Sequence, residues 1–383
     1  MTFIISLAIT LLILSLFFWL VAHRILSGSD LSLYDSSIDK AADQIFGSHP
    51  DDPEYNKKII SQLAQAHRQA LETKSITKSL HVARDFANNL SCDLISDTKF
   101  TPVIANSVEC EWAVAPNADP NKRIVFFHGG AFLFGSAQGH RKFSDQLSRI
   151  SNSAVLSVNY RMLPRFARCV GIDDAQKAYL WALENGPDGK EDASFIMVSG
   201  DSAGGNLASM ISSWSHKNAP RKPDCMACFS PSLDQTFASP LLKENQHSDP
   251  ILGSGLGMLI RLPKTIRLWF LFLGMRCNPA NPLVSPVFAN LSILPPTLIH
   301  ASSTEMLLGE AIRYTNKART QGANVRLQVW EDQIHDWHLF NMGSGSADVA
   351  WNEVAKFISE VQSNVSQDTL SPQTSPAAFV NGT

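Results

Sequence analysis

Gly200-Asp201-Ser202-Ala203-Gly204 is a G-x-S-x-G run, and its flanks give the serine a chemistry. Upstream, Phe195 to Val198 is a short apolar run that reads as a buried strand. Downstream, Gly205, Asn206, Leu207, Ala208, Met210 and Ile211 continue as a helical pattern. A strand that turns directly into a helix strains its corner residue, so Gly200 and Gly204 clear space for the backbone. Ser202 at that corner is predicted to be held out of the core. Its Oγ would lie near a helix N-terminus, where developing negative charge is favoured.

A serine hydroxyl is a poor nucleophile at neutral pH. It needs a base, a group that orients the base, and donors for an oxyanion. With this strand-turn-helix motif the order along the chain is serine, acid, histidine. The base is predicted to be His335, in Ile334-His-Asp-Trp337, a short loop beyond the predicted strand Val325 to Trp330. That is the carboxyl end of a parallel strand, where reactive residues gather. His338 falls inside the following helix, whereas His247 and His300 precede the acid or lie within a strand. For the acid, Glu305 sits just past the strand Leu298 to Ala301 and is the first choice. Glu310 opens the next helix, where a glutamate suits the dipole anyway, and is the second; Asp336 is the third.

His128-Gly129-Gly130-Ala131 directly follows the strand Arg123 to Phe127 and offers consecutive backbone N–H groups. The amides of Gly129, Gly130 and Ala203 are expected to form a three-donor oxyanion hole. This chemistry requires no metal and no organic cofactor.

The elements that must position these residues alternate. Strands at Val108–Val114, Ala154–Asn159, Cys225–Phe229 and Pro296–Ala301 are interleaved with helices at His140–Ile150, Ile172–Leu183 and Glu310–Gln321. Alternation of this kind implies an α/β fold, a mostly parallel central sheet with helices on both faces. A chain of 383 residues with 44% apolar residues can bury a substantial core. A net charge of −3 gives no reason to expect nucleic acid as a partner. Six cysteines are scattered; Cys225 and Cys228, three apart in one strand, are expected to be buried thiols on opposite faces.

Four regions are expected. Residues 1–24 carry an uncharged apolar run, Phe3 to Ala22, long enough to span a bilayer as an N-terminal transmembrane anchor. Residues 25–95 form an amphipathic helical cap. Residues 96–362 hold the catalytic domain, interrupted by a second cap segment at 240–277 rich in Leu, Phe and Trp. Residues 363–383 read as a disordered tail containing Ser371-Pro and Ser375-Pro. Sequons at Asn89, Asn290, Asn364 and Asn381 favour an endoplasmic reticulum membrane protein with its domain in the lumen, against a lone flanking Arg24.

His128-Gly-Gly-Ala-Phe132, Tyr160-Arg-Met-Leu-Pro164, Asp173-Asp-Ala175, Gly200-Asp-Ser-Ala-Gly-Gly-Asn206, Asn281-Pro-Leu-Val-Ser-Pro286 and His335-Asp-Trp337 occur in this order. Together they resemble the hormone-sensitive-lipase-like branch of the α/β hydrolases; the N-terminal anchor adds a likeness to fungal steryl acetyl hydrolases. The resemblance implies carboxylester hydrolysis through an acyl-enzyme, under a cap built from the N-terminal helices and the mid-chain insertion. Three positions depart from the family pattern. Ala131 stands where a third glycine is common, Arg165 replaces an acidic residue, and Glu305 takes a place usually held by aspartate. The reading is a membrane-anchored serine esterase or deacetylase for an apolar small-molecule ester, such as a sterol or terpenoid acetate. Acyl transfer or cyclisation through the same intermediate, and ligand binding without catalysis, are the alternatives.

Overall fold

The computed structural model describes residues 2–370 and begins with an apolar helix, α1 (Thr2–Val21). Next come α2 (Ile38–Ala41), the short strand β1 (Gln44–Phe46) and a helical hairpin, α3 (Asp52–Glu72) with α4 (Ile76–Asn88). The chain then forms β2 (Lys99–Ala105), β3 (Val108–Val114), β4 (Asp119–Phe127), α5 (Arg141–Ser151) and β5 (Ser153–Val158). Helix α6 (Arg168–Glu184) ends in a two-residue hairpin, β6 (Asn185–Gly186) and β7 (Gly189–Lys190). After β8 (Phe195–Asp201), α7 (Ala203–Asn218) and β9 (Cys225–Phe229), the insertion folds as α8 (Leu241–Glu244), α9 (Leu256–Ile260) and α10 (Lys264–Met275). The chain closes with β10 (Thr297–Ser302), α11 (Leu308–Thr320), β11 (Val325–Trp330), α12 (Trp337–Phe340) and α13 (Gly345–Leu370).

Among the described residues, nine strands form one sheet in the order β1-β11-β10-β9-β8-β4-β5-β3-β2. Pairing is parallel except where β3 meets β2 and β5. The central strands are buried on both sides, and their side chains alternate between two cores. On β4, Val125 and Phe127 join the core under α6, α7 and α11, while Ile124 and Phe126 join the core under α5 and α13. Cys225 and Cys228 fall into opposite cores in the same way, and all six cysteines are free.

Three features differ from the expectation. Strand β1 went unread because three residues carry no usable period, and β2 because Pro102 counts against a strand; at a sheet edge the missing N–H is tolerated. The last helix runs through Leu370 instead of ending at Gln362, since neither glycine nor proline interrupts Ser363 to Leu370. The remainder of the expected tail, with Asn381, lies outside the described residues.

Candidate active site

Ser202 stands between β8 and α7 with φ 47° and ψ −112°, a conformation that costs about 1–3 kcal/mol. Met197, Val198 and Leu207 flank it, each fully buried and worth roughly 1.5–3 kcal/mol, so the surrounding core outweighs the strain. The turn closes only because Gly204 lacks a side chain: a Cβ there would collide with the Phe127 carbonyl oxygen.

Three residues from three connections converge. The Ser202 Oγ lies 2.9 Å from His335 Nε2, and the Glu305 Oε2 lies 2.7 Å from His335 Nδ1. All three side chains are buried. The other Glu305 oxygen accepts the Ser302 amide at 2.8 Å, which fixes the carboxylate across the ring edge. The insertion supports that loop: Asn245 Nδ2 donates to the Glu305 carbonyl at 2.9 Å, and Asp249 accepts the Met306 amide at 2.9 Å. Below His335, the Gln333 carbonyl accepts the hydroxyls of Ser302 and Thr304.

The other two acid candidates are placed differently. Glu310 Oε2 accepts the amides of Leu233 and Asp234 at 2.7 and 2.9 Å, so it braces the turn after β9 and does not reach His335. Burial, with Asp234 close by, holds the Glu310 carboxyl well above the usual range. Asp336 touches the opposite ring nitrogen, 3.1 Å from His335 Nε2, on the side of the serine. Burial pushes Asp336 up to about 7 against the pull of His335. Burial alone would lower His335; the Asp336 and Glu305 carboxylates outweigh it and hold the imidazole well above its ordinary value. His300 and His338 are buried together behind the site, their rings joined by a 2.9 Å hydrogen bond.

The oxyanion loop corrects one expectation. The Gly129 amide donates to Asp201 Oδ1 at 3.0 Å, so it is not free for substrate. The amides of Gly130, Ala131 and Ala203 have no acceptor among the described residues and remain available. Gly130, Ala131 and Phe132 all have positive φ, which turns this stretch sharply after β4. Asp201 is itself held by His140, whose Nε2 lies 3.4 Å from Oδ2. Burial disfavours charge on His140, but the Asp201 carboxylate raises its pKa overall. Burial, with His140 nearby, lowers His128 to about 3; its ring stacks on Tyr160 at 4.4 Å. Tyr160 in turn donates its hydroxyl to the His128 carbonyl at 2.7 Å.

Sequence reasoning missed Arg84 on α4. Its Nε donates to the Leu133 carbonyl at 2.9 Å and its Nη2 to the Leu163 carbonyl at 3.1 Å, clamping the oxyanion loop to the segment before α6. Nothing in the local sequence marks this arginine. Arg168 is equally unmarked. It lies 3.7 Å over the Phe132 ring and donates to Asn206 Oδ1 at 2.7 Å; burial lowers it to about 10. A cavity of about 750 Å³ between the α3–α4 hairpin and α12 is lined by no member of the Ser202–His335–Glu305 group.

The arrangement can take a proton from serine, hold the resulting imidazolium, and stabilise an oxyanion with backbone donors. Residues 124–339 match a family described as having the alpha/beta hydrolase fold. An esterase of Acinetobacter venetianus is 30% identical over 244 residues, 64% of this chain and 77% of that protein. An acetyl-hydrolase of Streptomyces hygroscopicus is 28% identical over 232 residues, covering 60% of this chain and 73% of its own. Among solved structures, an esterase/lipase from an uncultured bacterium superposes with a TM-score of 0.68 at 27% identity, over 82% of this chain and all of that one. An esterase of the bacterial hormone-sensitive lipase family gives 0.66 at 25% identity, over 80% and 98% of the two chains. With its fold, its motif order and these relatives, the chain belongs to the hormone-sensitive-lipase-like α/β hydrolases and is a serine hydrolase of ester bonds.

Proposed function

We propose that this protein is a membrane-anchored carboxylesterase or deacetylase that cleaves an apolar small-molecule ester through an acyl-enzyme. The observation that carries the reading is the unbroken chain of contacts from Ser202 Oγ through the His335 ring to Glu305. Ser202 attacks the ester carbonyl while His335 Nε2 accepts its proton. Glu305 keeps Nδ1–H in place and balances the imidazolium. The amides of Gly130, Ala131 and Ala203 receive the tetrahedral oxyanion. His335 then returns the proton to the departing alcohol, and water repeats the sequence on the acyl-enzyme.

The α1 span, with Ile5–Leu26 long and apolar enough to cross a bilayer, supports an anchor that brings the site to lipid-dissolved esters. The similarity to an acetyl-hydrolase supports a short acyl group, and the apolar insertion supports a bulky alcohol such as a sterol or terpenoid. The exposed sequons at Asn89 and Asn290 support a lumenal catalytic domain in the endoplasmic reticulum. The test is turnover of matched acetyl, butyryl and palmitoyl esters of one sterol by the full chain in detergent. Acetyl ester is expected to turn over fastest; a preference for palmitoyl overturns the deacetylase reading.

A further inference from the structure

Helix α10 is apolar over most of its circumference, interrupted by Arg267, yet protein covers only part of it. Leu268, Leu271 and Met275 form the inner stripe and are buried. Ile266, Phe270 and Leu273 form a second stripe at helical spacing and are 55%, 61% and 66% exposed. Apolar helix faces are ordinarily enclosed. Here the outer stripe is left mostly open by the described chain.

The flank of α10 identifies what covers it. Trp269 Nε1 donates to the Phe18 carbonyl of α1 at 3.1 Å, and the two rings meet edge to face at 5.1 Å. Ala22 and Leu26, just beyond α1, pack on Leu268, and Asn278 Nδ2 donates to the Ile25 carbonyl at 3.1 Å. Phe18 stands about one turn from the end of α1, so Trp269 sits toward the domain end of the apolar span, the level at which tryptophan is enriched in membrane proteins. Phe17, Trp19 and Leu20 of the adjoining α1 are exposed as well. Arg24 and Lys264 stand exposed at its margins, where their charged ends can meet headgroups, while Arg276 Nη2 donates to the Pro164 carbonyl at 2.8 Å.

We propose that the outer face of α10 lies in the lipid interface beside α1, so that the catalytic domain meets the bilayer along two elements. This rests on the reading of α1 as a membrane anchor. It goes further, because it fixes which face of the domain is turned to the lipid. Helix α10 belongs to the insertion that also holds the Glu305 loop, so the same segment touches lipid and supports the acid.

The test places one added cysteine at Ile266, Phe270 or Leu273 in the full chain, with exposed Cys92 and Cys169 and half-buried Cys277 replaced by serine. Each is labelled with bimane and reconstituted into phosphatidylcholine vesicles with and without doxyl-labelled lipid. Ile95→Cys, at a site 99% exposed on the loop before β2, is the reference. Quenching at 270 and 273 is expected to exceed that at 95 by about twofold or more. Protein that floats with the vesicles but is quenched equally at 95 and 270 overturns this proposal and leaves the anchor standing. Protein that does not float overturns both. A Phe270→Ser/Leu273→Ser variant should raise KM for a vesicle-dissolved ester about fivefold while hydrolysing a soluble acetyl ester normally. An equal change on both esters contradicts the proposal.

Discussion

The imidazole of His335 is approached from both sides by carboxylates, and that sets its working pH. Glu305 holds Nδ1, as the chemistry requires, but Asp336 also meets Nε2 at 3.1 Å, the atom that must accept the serine proton. Burial favours neutral imidazole, yet these two carboxylates favour the proton, and they win; Asp201 acts on Asp336, helping to raise it. His140 faces Asp201 and offsets part of that charge. Only unprotonated His335 can act as base, so raising its pKa moves the acidic limb of the kcat/KM profile upward. Asp336→Asn removes one source of the shift. The acidic limb is expected to move down by about one pH unit, with the alkaline plateau kept within a few-fold. An unmoved limb would show that Asp336 does not act on the base. At this scale Ser202 and His335 were legible because a strand-turn-helix glycine pattern and a strand-end loop each announce themselves. Glu305 and Glu310 were separable only by rank, since which carboxylate turns toward the ring depends on tertiary contacts. The direction of the Gly129 amide was invisible, because sequence encodes a flexible backbone but not where its N–H points.

The elements act as supports with unequal visibility. Strand β9 begins and ends where its apolar run does, because a central parallel strand needs continuous burial. The α3–α4 hairpin reads from sequence as a cap; α3 braces the His335 loop through Asp52, which accepts Gln333 Nε2 at 2.7 Å, and α4 reaches the oxyanion loop through Arg84. Arg84 bridges the Leu133 and Leu163 carbonyls and so joins the hairpin to the oxyanion loop. Arg84→Ala leaves both carbonyls without this donor while Gly130 and Ala131 must still point at the oxyanion. A shift of about 1 Å there is expected to lower kcat by about 10-fold to 100-fold, with a small change in melting temperature. Steady-state kinetics with a soluble acetyl ester, alongside a thermal melt, checks this. Loss of stability with kcat intact would mean that the clamp serves folding alone.

Taken whole, the molecule is a parallel-sheet hydrolase with an apolar helix set against its insertion. The orientation of the proposed anchor is open to a direct reading. Asn89 and Asn290 are exposed, so a lumenal domain is expected to carry glycans there. Digestion of the full chain from a eukaryotic host with an endoglycosidase should increase its mobility on a gel, and Asn89→Gln/Asn290→Gln should reduce that shift. Unshifted wild-type protein points to the cytosolic face. The fold class was recoverable from alternation of strands and helices, because burial imposes a period on each. The proposed lipid-facing side was not, since the apolar run Leu268 to Leu273 reads first as a buried cap helix and only second as a membrane-surface contact until the exposure of Ile266, Phe270 and Leu273 is seen. Every proposed step of the reaction begins from Ser202 as nucleophile. Intact-mass analysis of the full chain after treatment with a fluorophosphonate is expected to show one covalent adduct, mapped to Ser202 and absent from Ser202→Ala. Ser202→Ala should also lose about 10³-fold or more in kcat. An adduct on another residue, or a Ser202→Ala enzyme that hydrolyses esters at the wild-type rate, would contradict it.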